Sequence, residues 1–190
     1  MVSEVIEGEV MVLEEDIFHS DFVKFALEQG WIKEATQLGD EERVSFQEIW
    51  RTPDMKNIIN YVDDPLTITR YLWIRGPKLK RLLFELCCRL PAYEPEEILQ
   101  KAAEAEDHDE AVAAVLRVAA GFPRFEPDAL HIFEAYLDSP SPALRKATIQ
   151  AIAYRLWSET YPLLKKVSQE DTDEDVRRFA KSILVYLTEL

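Results

Sequence analysis

The chain has 190 residues, of which 47% are hydrophobic, enough for one substantial core or two small ones, so disorder is not the expectation. Acidic residues outnumber basic ones 36 to 22, giving a formal charge of −14. That excess repels phosphate backbones and anionic lipid and favours a basic partner or simple solubility, which argues against a nucleic-acid or membrane ligand.

The N-terminal stretch MVSEVIEGEV is acidic where a signal peptide would carry Lys or Arg, and no run approaches the length of a membrane span, so a cytoplasmic protein is expected. Residues 1–48 hold thirteen acids, among them Glu4, Glu7, Glu14, Glu15, Asp16, Glu41 and Glu48, against Lys24, Lys33 and Arg43. This acidic region is read either as a solvated face or as a surface that speeds encounter with a positively charged protein. Val10 to Leu13 can be a short strand or the early start of a helix. Ser20 is placed to cap a helix through Phe22, Phe25 and Ala26 that ends at Gly30.

From residue 44 to 76 the chain has strand character in VSFQEIWRT, NIINYV and LTITRYLWIR, separated by Thr52-Pro53-Asp54 and Asp63-Asp64-Pro65. A three-stranded antiparallel meander is the simplest account. In the last run Leu66, Ile68, Leu72 and Ile74 alternate with Thr67, Thr69, Tyr71, Trp73 and Arg75. Tyr71 and Trp73 then either pack under the N-terminal helix or stand exposed as an anchor for a protein partner, and Trp31 and Trp50 flank the acidic region. The candidate binding residues are Glu14, Glu15, Asp16, Trp31, Tyr71 and Trp73.

Gly76-Pro77 opens a helical half. Leu79, Val112, Leu144 and Val176 recur at steps of 33, 32 and 32 residues, and each is followed four, seven and eight places on by residues that repeat one helical stripe. Shorter helices around Leu99, Leu130 and Leu163 fall between, so each repeat is a helical hairpin and stacking buries faces no single hairpin could bury. The expected fold is mainly α: an α-solenoid of antiparallel helix pairs over 77–190, with a small acidic α/β unit, helix plus three-stranded meander, over 1–76.

The last two units carry Asp138 with Leu144-Arg145, Thr148, Ala151 and Ile152, then Asp171 with Asp173, Val176-Arg177, Ala180, Ile183 and Leu184. On these residues the segment 77–190 resembles the HEAT-like repeats, of the short bacterial kind also seen in phycobilin lyase-like proteins. In the earlier units Lys80 and Ala113 stand where that pattern has arginine. The resemblance implies stacked helix pairs whose concave surface commonly binds proteins; it implies no activity. Arg145 and Arg177 are expected to pair with the acids that precede them, Asp138, Asp171 or Asp173, rather than to hold a ligand.

Other chemistry is thin. Cys87 and Cys88 are adjacent on a predicted helix and read as core thiols in a reducing compartment. His19, His108 and His131 are scattered without metal-ligand spacing, and Asp109 is better placed to cap a helix than to orient His108. Asp63-Asp64 fits a turn, and five isolated glycines make no phosphate loop. The expectation is therefore a non-catalytic interaction module, without cofactor or metal, that binds a basic protein as adaptor or inhibitor and is a monomer or weak dimer. An immunity or antitoxin protein against a basic toxin is a sharper form of it, and a bilin-lyase-like enzyme or accessory with a ligand in the helical groove is the alternative of another class.

Overall fold

The computed structural model describes residues 8–40, 42–77 and 79–188, so Glu4, Glu7 and Glu41 of the acidic region lie outside the described residues. The chain divides into two compact units, Met1–Glu94 and Pro95–Leu190.

In the first unit, strands β1 (Gly8–Val12), β2 (Ile32–Gln37), β3 (Phe46–Arg51), β4 (Ile58–Asp64) and β5 (Thr69–Arg75) form one antiparallel sheet in the order β1-β5-β4-β3-β2. The expected meander is its middle, β3 to β5, and two further strands flank it. VMVL resolves as strand β1 paired with β5, with Met11 opposite Leu72. Strand β2 escaped a pattern-based reading because its six residues IKEATQ are all exposed; it is an edge strand with a register shift between Lys33 and Ala35.

Period-2 alternation puts Met11, Leu72, Tyr61 and Glu48 in one row across the sheet, with Ile74, Ile59 and Trp50 in the next. Helices α1 (His19–Glu28) and α2 (Leu79–Cys87) cover that face with Phe22, Phe25, Ala26, Leu82 and Leu86. Helix α1 starts before the expected Ser20 cap, because the Asp21 carboxylate accepts the Phe18 N–H at 2.9 Å. It ends as expected at Gly30, whose φ of 68° lets Trp31 N–H return to the Ala26 carbonyl at 2.9 Å. Ile68 was expected in the apolar stripe of the last strand. It lies in the turn before β5 instead, at φ 53° and 71% exposed.

Helix α2 belongs to the sheet, not to the helical half, so the units divide after Glu94 and not at residue 76. Leu82, Leu86 and Leu90 are buried in the sheet core, and the following segment returns to the edge of β1, where Tyr93 N–H donates to the Val12 carbonyl at 2.9 Å. The cysteines are a further correction: both Cys87 and Cys88 are exposed, since the buried stripe of α2 runs through Leu82 and Leu86.

The second unit contains α3 (Pro95–Glu104), α4 (His108–Gly121), α5 (Pro127–Leu137), α6 (Pro142–Arg155), α7 (Tyr161–Glu170) and α8 (Glu174–Thr188). Helix α3 packs on α4, α5 on α6 and α7 on α8, while α4 packs on α6 and α6 on α8. Most of the recurring stripe in α4, α6 and α8 lies inside: Leu116, Ala119 and Ala120 of α4, Leu144, Thr148, Ala151 and Ile152 of α6, and Val176 and Ala180 of α8 are buried, while Val112, Ile183 and Leu184 are half-buried. Helix α4 is capped by Asp107, not Asp109, its Oδ1 accepting the N–H groups of Asp109 and Glu110 at 2.9 and 3.2 Å. The carbonyls of Ala119 and Ala120 near the other end of α4 accept the Arg155 guanidinium.

Candidate interaction surfaces

The sequence-predicted binding residues do not form one patch. Trp31 is 6% exposed and packs edge-on against Phe22 and Phe25, which makes it a core residue and not a surface anchor. Tyr71 and Trp73 pair with Val12 and Val10 on the sheet face opposite α1 and α2, so neither packs under the N-terminal helix. Tyr71 is half-buried; Trp73 is 39% exposed and carries the Arg75 guanidinium 4.2 Å from its ring centroid. Glu14, Glu15 and Asp16 sit on the loop between β1 and α1. That loop is held by Arg70, which donates to the carbonyls of Ile17 (2.5 Å) and Glu15 (2.7 Å), and by the Tyr93 hydroxyl on the Glu15 carboxylate. Glu15 and Asp16 are exposed and Glu14 half-buried.

Sequence reading counted Glu48 only as one acid among thirteen. It is in fact 3% exposed, beneath α1, with Oε1 accepting Lys33 Nζ at 3.0 Å and Oε2 accepting the Trp50 indole N–H at 3.0 Å. His19 Nε2 lies 3.0 Å from the same Oε2, and the imidazole packs between Phe46 and Tyr61. Burial alone pushes the Glu48 carboxyl upward, and the contacts from His19, Lys33 and Trp50 together reverse this and hold it below its ordinary value. The available signal was the alternation Phe46, Glu48, Trp50: a carboxylate between two aromatics on one strand face is placed in a core and must find donors. Tyr61 crosses from Glu48 in the register, and its buried hydroxyl has no hydrogen-bond partner among the described residues; burial raises its pKa far above the ordinary phenol value.

In the second unit the structural residues meet around Asp171. Arg145 Nε and Nη2 donate to Asp171 Oδ2 and Oδ1 at 2.7 and 2.8 Å, and Nη1 donates to the Ser139 carbonyl at 2.8 Å. The carboxylate comes from the following hairpin, not from Asp138, which precedes Arg145 and ends α5 exposed. Burial raises the Asp171 pKa, but the Arg145 fork and the Asp173 N–H outweigh it and leave the carboxyl below its ordinary value. Arg177 donates through Nη1 to the Asp171 carbonyl.

Beside this pair runs a groove of about 640 Å³ whose apolar lining is Leu137, Pro140, Leu163 and Val167. Glu134, Asp138, Lys166 and Glu170 also line it, and none of these four side chains has a hydrogen-bond or ion-pair partner among the described residues. Three uncompensated carboxylates against one amine leave the groove negative.

Among the described residues no group of three or more His, Cys, Asp or Glu side chains is arranged to hold a metal ion, and no helix is long and apolar enough to cross a membrane. His108 and His131 are exposed, the latter 3.8 Å from Asp128. No family model, curated protein or solved structure matches this chain.

Proposed function

We propose that the chain is a non-catalytic protein-interaction module, a HEAT-like solenoid in its second unit, that docks a basic segment of a protein partner in the groove beside α5 and α7. The hairpin order α3/α4, α5/α6, α7/α8 with α4, α6 and α8 stacked in series supports the solenoid reading. The groove carries the docking reading: its apolar lining suits the aliphatic stem of a Lys or Arg side chain, and the carboxylates of Glu134, Asp138 and Glu170 line the same groove and suit its cation. The overall charge of −14 would raise the association rate for such a partner, and the exposed acidic loop at Glu15 and Asp16 adds to that field.

The test is fluorescence anisotropy of a labelled peptide of alternating Lys and Leu against the full chain. Saturable binding that weakens with added salt, and weakens further in Glu134→Lys and Glu170→Lys, is the expected result. Equal binding by wild type and both variants contradicts the groove as the docking site.

A further inference from the structure

The capping geometry of α6 repeats on α8 at a spacing of 32 residues. Ser139 Oγ accepts the Ser141 N–H and Asp171 Oδ1 accepts the Asp173 N–H; Ser141 Oγ accepts the Leu144 N–H and Asp173 Oδ1 accepts the Val176 N–H. Arg145 Nη1 donates to the carbonyl of residue 139, and Arg177 Nη1 donates to that of residue 171. In the α6 copy, the rest of the arginine fork, Nε and Nη2, is filled by the Asp171 carboxylate. In the α8 copy, those two nitrogens have no partner among the described residues, and they are not enclosed.

We propose that the Arg177 fork is a receptor for a carboxylate presented by an acidic segment of another protein, which would occupy the place that Asp171 takes against Arg145. A guanidinium already fixed through Nη1 keeps Nε and Nη2 in the orientation a bidentate carboxylate needs. The surrounding face of α8 is charged where that of α6 is apolar. Lys181 is exposed and forms no ion pair among the described residues, at the position where α6 has the fully buried Ile149. Arg177, half-buried, and Lys181, exposed, lie four residues apart on one side of the helix, so two cations stand together there. Arg178 pairs with Asp175, and of the two acids in the preceding turn of the same side Asp173 is engaged in capping α8 while Glu174 is exposed. This face therefore suits an acidic ligand, whereas the groove at Glu134 and Glu170 suits a basic one, and the two sites fail or succeed separately.

The experiment is nitrogen-15 NMR of arginine side chains in the full chain at physiological ionic strength, titrated with the blocked peptide DTDED and, as control, NTNQN. A saturable shift of the Arg177 Nε–Hε resonance with DTDED is expected, with Arg145 unmoved because its fork is filled. NTNQN should bind about tenfold more weakly, the loss of one charge-assisted pair. Arg177→Lys, which keeps the charge and removes the fork, should weaken DTDED binding and narrow the difference between the two peptides to what charge alone gives. No shift at Arg177, or an equal shift at the exposed Arg81, Arg124 and Arg178, overturns the proposal. So does protection of the Arg177 fork that grows with protein concentration in the absence of peptide, since a second copy would then be the occupant.

Discussion

Arg145 on α6 and Asp171 at the start of the following helix cap are 26 residues apart and form a bidentate pair whose side chains are only 7% and 5% exposed. It joins one helical hairpin to the next. Removing one partner leaves the other charge buried without compensation, so Arg145→Met and Asp171→Asn should each cost about 3–5 kcal/mol. The double variant Arg145→Met/Asp171→Asn should cost clearly less than the sum, which a double-mutant cycle by urea unfolding reads directly. Additive losses would mean that the two residues act independently.

Acid should weaken the fold through two named carboxylates. Glu48 and Asp171 both have folded-state pKa values below their ordinary values of 4.5 and 3.8. Their contribution is therefore fully present above those ordinary values and is lost as pH falls through the lowered folded values. Stability measured from neutral pH downward should decline below about pH 4.5, and the decline should be shallower in Glu48→Gln and in Asp171→Asn. An unchanged slope in both variants would place the acid sensitivity elsewhere.

The Tyr61 hydroxyl is buried without a hydrogen-bond partner among the described residues, so Tyr61→Phe removes a desolvated donor and keeps the ring that stacks on Phe22 at 5.1 Å. The variant should be as stable as wild type or more stable by about 1 kcal/mol. A loss of that size in the urea midpoint would show that the hydroxyl is satisfied in solution.

Gly76 adopts φ 140°, and a Cβ placed there would come within 2.3 Å of Asn57 Oδ1 and 2.7 Å of the Lys56 carbonyl. Gly76→Ala should therefore destabilise the first unit by about 1–3 kcal/mol. Loss of tryptophan fluorescence from Trp31 and Trp50 on thermal unfolding would report it; an unchanged midpoint would mean the turn relaxes.

The helical period was legible because it is a property of spacing alone: Leu116, Leu144, Thr148 and Val176 are buried where the repeat put them. The sheet was read incompletely for the opposite reason. Strand β2 is an edge held by backbone pairing to β3, and nothing in six exposed residues announces it. Helix α2 matched the repeat in spacing, yet spacing cannot say which layer a stripe meets, and Leu82 and Leu86 meet the sheet. The partners of the charged residues were the least legible. Arg145 takes Asp171 in place of the nearer Asp138 because stacking, which is long-range, brings the next cap alongside. Glu48 was signalled by its place between Phe46 and Trp50, but its donors Lys33 and His19 come from another strand and from α1 and are not readable from that alternation.

The most direct test of the docking account is backbone amide NMR of the full chain titrated with the Lys-Leu peptide. The account predicts saturable shifts concentrated at Leu137, Asp138, Ser139, Val167 and Glu170, diminished in Glu134→Lys/Glu170→Lys. Shifts confined to the loop at Glu15 and Asp16, or no shifts at all, would contradict it.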